Sequence, residues 1–160
     1  MSAAALSGLL AVSMPEANMV SAPGLAKDRG IEVKESTLDD RARDSMLKIT
    51  LDTGNRKFVA IGGIHRGEPR ITRLFGVPMN AGFAPYMLYV RNEDKPGFIG
   101  ALGQILGENK INIGSFSLGR MDNGEEEAVC LVSVDEPVPV KVQDQIKAVD
   151  QVKIVNAIAL

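Results

Sequence analysis

The sequence predicts an α+β protein of two small domains: a mostly antiparallel α/β domain over residues 1–84, then a ferredoxin-like βαββαβ domain over residues 85–160. Three observations predict this class. The chain has 160 residues, and 45% of them are hydrophobic, which is enough for a packed core. In its second half, strand-like and helix-like apolar periodicities follow one another in the order βαββαβ. Residues 76–84 are rich in Gly and Pro and indicate the domain boundary.

The first domain begins with two helical patterns. Residues 3–12 are mostly apolar, and the absence of a basic residue before them argues against a signal peptide. The run is also too short to cross a membrane. We expect it to pack on something upstream, so that the first domain is truncated at its N-terminus. Ser21, Pro23 and Gly30 predict the cap, first turn and end of a second short helix.

Strand-like runs follow these helices. Residues 31–35 alternate apolar and polar side chains as a half-buried strand does, and residues 37–45 are charged and predict a solvated connection. Three further runs, residues 46–52, 57–64 and 69–75, are separated by turn residues. They predict an antiparallel meander of three strands.

The second domain shows its elements in a regular order. Strands are predicted at residues 86–91, 112–118, 127–134 and 152–159, and helices at residues 97–109 and 139–150. Asp122-Asn123-Gly124 predicts a tight hairpin turn. Both helices should cover one face of the sheet. Apolar residues on the other face suggest that another copy of the chain covers it.

Composition argues against several classes of function. A net charge of −2, with 4% aromatic residues and no Trp, disfavours nucleic-acid binding. The single cysteine, Cys130, and single histidine, His65, cannot supply a disulfide or a structural zinc site, and the lack of a disulfide fits the cytoplasm. No G-x-G-x-x-G motif follows a strand, so we predict neither a dinucleotide site nor a catalytic residue.

Residues 92–97 carry the most informative pattern. Pro96 and Gly97 lead into the first helix of the second domain, where free N–H groups can bind a carboxylate. Asn92, Asp94 and Asn112 can supply acceptors for an ammonium group. Together they suit a small zwitterion. The alternative, which spacing alone favours, is a plain turn with Asp94 as a helix cap and Asn112 as an ordinary turn residue.

Gly100, Gly103 and Gly107 form a stripe beside the apolar face of that helix. Each glycine costs about 1 kcal/mol relative to alanine inside a helix, so three of them need a reason. Close approach of another backbone is the favoured reason. Either the underlying sheet or a neighbouring subunit could supply it.

These residues resemble a known family. The segment NEDKPGFIGALGQILGENKINIGSFSLGR (residues 92–120) is similar to the first strand–loop–helix–strand of the ACT domain of D-3-phosphoglycerate dehydrogenases. Upstream, NMVSAPGLAKDRGIEV and GGIHRGEPRITRLFG resemble the allosteric-substrate-binding domain that precedes it in the long form of that family. The resemblance covers nearly the whole chain.

The resemblance implies a regulatory module that binds L-serine between the ACT domains of two subunits, and hence a homo-oligomer. It implies effector contacts at Asn92, Asp94 and Asn112, with Pro96, Gly97 and Phe98 completing the loop. Asn92 departs from the His or Tyr usual in the family. The resemblance also implies that NAD and the dehydrogenase chemistry belong to a catalytic domain that this chain lacks.

In some members the upstream domain binds a phosphate-bearing anion. The candidate residues here are Lys57, His65, Arg66, Arg70 and Arg73, of which Arg70 matches a basic position of the family pattern. Other basic positions of that pattern fall on Val77, Pro78 and Gly82. A solvated hairpin face is the alternative, and it is favoured.

Two other functions stay open. The β-chain of an iron–sulfur L-serine dehydratase shares both domain types by resemblance, and its cluster could lie on a partner chain, since Cys130 alone cannot hold one. A free-standing amino-acid sensor or dimerisation module is the other alternative. For Cys130 itself we expect a buried, small apolar role. Glu125 to Glu127 are expected to form a solvated hairpin end.

Overall fold

The chain divides into two compact structural units, residues 1–43 and residues 44–160. The computed structural model describes residues 2–37, 46–121 and 126–160. Within them, the first unit holds two helices, and the second holds two four-stranded antiparallel sheets and two more helices. This is an α+β fold, as predicted.

The first unit is built on a pair of helices, α1 (Ser2–Ala11) and α2 (Ala22–Asp28). Among the described residues α2 has no side-chain cap, so the capping role predicted for Ser21 is wrong. Asn18 holds the turn before the helix, because its Oδ1 accepts hydrogen bonds from the N–H groups of Val20 at 2.9 Å and Ser21 at 3.1 Å. Gly30, at φ +68°, ends the helix in the left-handed conformation that glycine favours. The buried side chains between the helices are Leu6, Leu10, Met14, Ala17, Ala22 and Ala26.

The predicted strand at residues 31–35 is wrong. Residues 31–37 pair with no strand in the described part of the chain. Alternation of apolar and polar side chains shows only which side of a strand could be buried, whereas a strand also needs a neighbour for its backbone hydrogen bonds. The predicted connection at 37–45 falls almost entirely on residues 38–45, which lie outside the described residues.

The predicted three-stranded meander is confirmed as β1 (Met46–Asp52), β2 (Lys57–His65) and β3 (Glu68–Leu74), each antiparallel to the next. Arg66 and Gly67 form the tight turn between β2 and β3, both with positive φ (52° and 86°). Two-residue turns of this kind match the twist of the strands they join.

A fourth strand, β4 (Val77–Gly82), follows β3 in the same sheet. This strand was not predicted, because the Gly and Pro residues at 76–84 are typical of a linker. Phe75 and Gly76, with φ of 51° and 89°, form another two-residue turn. Pro78 fits because β4 lies at the edge of the sheet, where a missing N–H costs no ladder hydrogen bond.

The rest of the second unit has the predicted βαββαβ order. Its elements are β5 (Tyr86–Glu93), α3 (Phe98–Glu108), β6 (Ile113–Arg120), β7 (Glu127–Val134), α4 (Val140–Lys147) and β8 (Val152–Ala159). The sheet order is β6-β7-β5-β8, with all pairs antiparallel. Both helices pack on one face, as expected, and the core there includes Leu88, Val90, Phe98, Leu102, Leu106, Cys130, Val132, Val142 and Ile146. The predicted Asp122–Gly124 turn lies outside the described residues.

The upstream sheet covers the opposite face of this β6-β7-β5-β8 sheet. Val77 and Ala81 of β4 are buried in one cluster with Met87, Tyr89, Val129 and Leu131. The Ser117 hydroxyl on β6 donates a hydrogen bond to the Asn80 carbonyl on β4 at 3.0 Å. The expectation that another copy covers this face is therefore wrong, because strands of the same chain already occupy it.

Candidate effector-binding site

The loop between β5 and α3 is held by backbone hydrogen bonds to two distant segments. The N–H of Glu93 donates to the carbonyl of Gln151 at 2.8 Å, and the N–H of Asp94 donates to the carbonyl of Glu126 at 2.8 Å. Gly97, at φ +99°, then turns the chain into α3. That conformation favours glycine, which explains the residue type at this position.

The start of α3 has no side-chain cap. Its first amides are left without the partners that capping would supply, so they are available to an anion. Phe98, 2% exposed, anchors this end of the helix in the core. The capping role considered for Asp94 is therefore wrong.

Asn92 is buried beneath the loop, with 2% of its surface exposed. Its Nδ2 donates to the Glu93 carbonyl at 2.6 Å, which fixes the orientation of the carboxamide. Its Oδ1 is buried and has no hydrogen-bond partner in the described part of the chain. An unpaired buried acceptor is costly and rare, so this oxygen marks a place for a donor.

Gln151, near the end of the domain, resembles Asn92 in that its amide nitrogen is hydrogen-bonded within the described structure and its amide oxygen is not. Its Nε2 donates to the carbonyl of Pro96 at 3.1 Å, while its buried Oε1 has no partner among the described residues. Gln151 was not among the residues predicted from the sequence. It lies in a turn more than fifty residues beyond the loop, and no local pattern links the two segments.

Two ion pairs lie at the loop. Arg120 Nε lies 2.7 Å from Asp94 Oδ2, and Lys95 Nζ lies 2.6 Å from Glu93 Oε2. The hydrogen bond from Lys95 lowers the pKa of the Glu93 carboxyl, and the same bond raises the pKa of Lys95. Both groups are therefore held in their charged forms.

These side chains surround a cleft of about 250 Å³. Its walls are the loop, the start of α3 and the end of β6, contributed by Asn92, Asp94, Lys95, Pro96, Gly97, Phe98, Ile99, Leu118 and Arg120. Five of the six predicted effector residues thus lie together. Arg120 was missed because it comes near Asp94 only through the pairing of the strands.

Asn112, the sixth predicted residue, does not line this cleft. It is exposed, and its Nδ2 donates to Asp135 Oδ2 at 2.8 Å. It comes directly before the edge strand β6, whereas the cleft lies at the other end of that strand. Within one chain, Asn112 is therefore not a neighbour of Asn92 and Asp94.

The five candidate anion-binding residues do not form one cluster. Lys57 and His65 lie at opposite ends of β2, roughly 26 Å apart at about 3.3 Å per residue. Lys57 pairs with Asp52 at 3.3 Å, and Arg73 donates to the Gly76 carbonyl at 2.7 Å. Arg66 lies in the β2–β3 turn, and the Arg70 guanidinium lies over Gly82 on β4, where a Cβ would be 3.4 Å from Nη1.

Two other predictions concern single residues. Cys130 is buried, and burial raises the pKa of its thiol to about 12, as suits a small apolar role. Glu127, expected in a solvated hairpin end, is instead only 8% exposed and forms ion pairs with Arg91 and with Lys153. The hydrogen bond from Lys153, together with Arg91, lowers the pKa of the Glu127 carboxyl.

The described residues contain neither a membrane-spanning helix nor a metal-binding cluster. None of the helices in the described parts of the chain is long and apolar enough to cross a bilayer. Among residues 2–37, 46–121 and 126–160, no three His, Cys, Asp or Glu side chains are grouped so that they could hold a metal ion.

Comparison with known proteins places both halves of the chain. Residues 1–75 match the D-3-phosphoglycerate dehydrogenase intervening domain, and residues 86–151 match the ACT domain. A D-3-phosphoglycerate dehydrogenase of Methanocaldococcus jannaschii is 34% identical over 97% of this chain and 30% of its own length. One from Synechocystis is 37% identical over 85% of this chain and 25% of its own length.

A "Probable L-serine dehydratase, beta chain" of Bacillus subtilis is 26% identical over 98% of this chain and 71% of its own length. The chain spans less than a third of the length of the two dehydrogenases above. The two domain matches cover its sequence almost from end to end, in the order that those dehydrogenases share. The chain therefore carries the intervening domain of D-3-phosphoglycerate dehydrogenases followed by an ACT domain.

Proposed function

We propose that this chain is a regulatory part of a D-3-phosphoglycerate dehydrogenase, which acts in the first step of L-serine biosynthesis, and that it binds L-serine in the cleft at the start of α3. The observation that carries the proposal is the buried, unpaired Oδ1 of Asn92 beside an uncapped helix start. One feature calls for a hydrogen-bond donor and the other for an anion. An α-amino acid carries an ammonium donor and an anionic carboxylate on the same carbon atom.

Each group of the effector has a partner of matching chemistry. The ammonium is a donor of three hydrogen bonds, and Asn92 Oδ1 and the Asp94 carboxylate can accept them. The carboxylate suits the free amides of the first turn of α3. A cleft of about 250 Å³ suits a small side chain such as hydroxymethyl.

We also propose that two copies of the chain form a dimer through their ACT domains, next to this cleft. β6 is an edge strand, so its outer backbone groups can pair with a second copy. Antiparallel pairing of β6 with itself brings Ile113 of one copy opposite Arg120 of the other. Asn112 of the second copy would then lie beside the cleft of the first, where it can contact the same ligand.

The glycine stripe of α3 fits this dimer. A Cβ on Gly100, Gly103 or Gly107 would meet no atom of the described residues within 4 Å. The described sheet of the same chain is therefore not what these glycines accommodate. We infer that a helix of a neighbouring copy packs against them.

Binding of an effector between copies would favour the arrangement of subunits that closes the cleft, and this bias could reach a catalytic domain elsewhere in the protein. We place NAD, the phosphoglycerate substrate and the catalytic residues in such a domain. The free thiol of Cys130 fits a reducing, cytoplasmic environment.

Calorimetric titration of the 160-residue chain with L-serine tests the proposal. We expect saturable binding that Asn92→Leu abolishes, because leucine has a similar shape and no acceptor. Asn109→Leu, at the far end of α3, should bind as the unchanged protein does. A folded protein that takes up no heat with millimolar L-serine, or equal binding by both variants, contradicts the proposal.

The similarity to the dehydratase β-chain supports a second candidate, in which the module serves an enzyme that degrades L-serine. Serine binding alone does not separate the two candidates. The reading frame of the gene does: a dinucleotide-binding domain in the same frame supports the dehydrogenase, and an adjacent gene for a cluster-binding chain supports the dehydratase. A serine-binding chain with neither neighbour supports a free-standing sensor.

A further inference from the structure

We propose that Arg120 is an effector-binding residue that recognises the carboxylate of the amino acid and makes a free carboxylate a requirement for binding. The inference rests on the proposed function and names a group that the sequence pattern did not identify. It comes from the ion pair between Arg120 and Asp94, from the exposure of the guanidinium, and from the charges that line the cleft.

Arg120 uses only part of its hydrogen-bonding capacity. Its Nε lies 2.7 Å from Asp94 Oδ2, and within the described residues this is its one ion pair. The side chain is 74% exposed. Most of the side chain is therefore accessible to a ligand, and Arg120 is one of the residues that line the cleft.

The chemistry of the Arg120 guanidinium selects its partner. A guanidinium presents a planar fork of N–H donors that matches the two oxygens of a carboxylate. Asp94 holds the fork from one side, so the effector carboxylate can occupy the other without breaking the existing pair. Lys95, the other cation of the cleft, pairs with Glu93 and has no such fork.

The arrangement also explains how Asp94 can accept a hydrogen bond from the ammonium group of the ligand while it is paired with Arg120. Arg120 is largely exposed and Asp94 is half-buried, so the guanidinium can readjust at little cost when a ligand enters. In the complex, Arg120 would contact the carboxylate of the zwitterion. Asp94 would contact both Arg120 and the ammonium group of the zwitterion. A ligand with an ammonium but no carboxylate would leave the Nη edge of Arg120 unmatched.

A comparison of two ligands isolates the contribution of the carboxylate to binding. L-serine is compared with L-serinamide, in which a neutral amide replaces the carboxylate. Titrations at about pH 6.5 keep the ammonium of the amide charged, because α-amino groups titrate at about 7.7–8.0. The unchanged protein should bind L-serine at least about tenfold more tightly than L-serinamide, as expected for a contact between charged groups.

Arg120→Gln should weaken L-serine binding by about tenfold or more and leave L-serinamide binding nearly unchanged. Arg120→Lys should give an intermediate loss, because it keeps the charge and lacks the fork. Arg56→Gln, at an exposed arginine between β1 and β2 that does not line the cleft, is the matched control and should keep the preference for L-serine. Thermal unfolding of each variant confirms that it is folded.

The outcomes distinguish this inference from the proposal beneath it. If Arg120→Gln keeps the full preference for L-serine, or if the unchanged protein binds both compounds equally, the role of Arg120 is overturned and L-serine binding stands. If the unchanged protein binds neither compound, the proposed function falls and this inference falls with it.

Discussion

The backbone of Pro78 lies so close to Gly119 that a Cβ atom at residue 119 would be 2.3 Å from the Pro78 carbonyl oxygen. The same Cβ would be 2.4 Å from Cγ1 of Val77, a fully buried residue of β4. Glycine at 119 is therefore what allows β4 to pack on β6. The next residue is Arg120, so the contact also fixes one wall of the cleft.

Gly119→Ala should lower the free energy of unfolding by about 1–3 kcal/mol, because the added methyl meets backbone that cannot rotate away. Urea denaturation measures the change. The control is Gly114→Ala, where the Cβ would meet the Ser133 hydroxyl at 2.9 Å, a group that can move. Equal losses in the two variants would contradict the close approach of β4.

Gly103→Ala should have opposite effects on the single chain and on its dimer. Alanine favours a helix over glycine by about 0.5–1 kcal/mol, and the site has open space, so thermal unfolding at low concentration should show a more stable chain. Sedimentation equilibrium should show a weaker dimer, because the methyl would separate the two copies. Gly8→Ala in α1, where a Cβ also meets nothing within 4 Å, should leave association unchanged. An unaltered dimer in Gly103→Ala would exclude the stripe from the interface.

Acid should destabilise the protein in part through Glu127. Lys153 and Arg91 lower the pKa of this carboxyl from its ordinary value of 4.5. The resulting stabilisation is present above pH 4.5 and is lost as the pH falls through the lower value of the folded state. Glu127→Gln should lose about 1–3 kcal/mol at neutral pH and show a shallower loss in acid. Denaturation series from pH 7 to pH 3 measure both effects, and the exposed Glu136→Gln should retain the slope of the unchanged protein.

The Cys130 thiol should be unreactive in the folded protein. It is fully buried, and its pKa is raised to about 12, so almost none of it is thiolate at pH 8. A chromogenic disulfide reagent should label it only as fast as the protein opens, and rapidly in urea. Immediate labelling of the folded chain would show that β7 is open to solvent.

The βαββαβ half was predictable because each of its elements has a local signal. Phe98, Leu102 and Leu106 recur at helical spacing in α3, and all three are buried. The strand–loop–helix start was also local, so five effector residues could be assigned from their order along the chain.

The features that escaped prediction depend on contacts between distant segments. Arg120 meets Asp94, and Gln151 meets Pro96, only after the sheet has formed. β4 was missed because its Gly and Pro residues signal a linker unless the strand is known to lie at an edge. The strand prediction at residues 31–35 was wrong for the converse reason. The segment has the side-chain pattern of a strand, but no described strand pairs with it.

NMR titration of ¹⁵N-labelled protein with L-serine tests the central claim most directly, because it reports on the individual amides of the cleft. We expect the side-chain amide of Asn92 and the backbone amides of residues 98–100 to shift and saturate together. Resonances that stay in place in the folded protein at millimolar excess of L-serine, or shifts confined to another region, would contradict the claim that this helix start binds the amino acid.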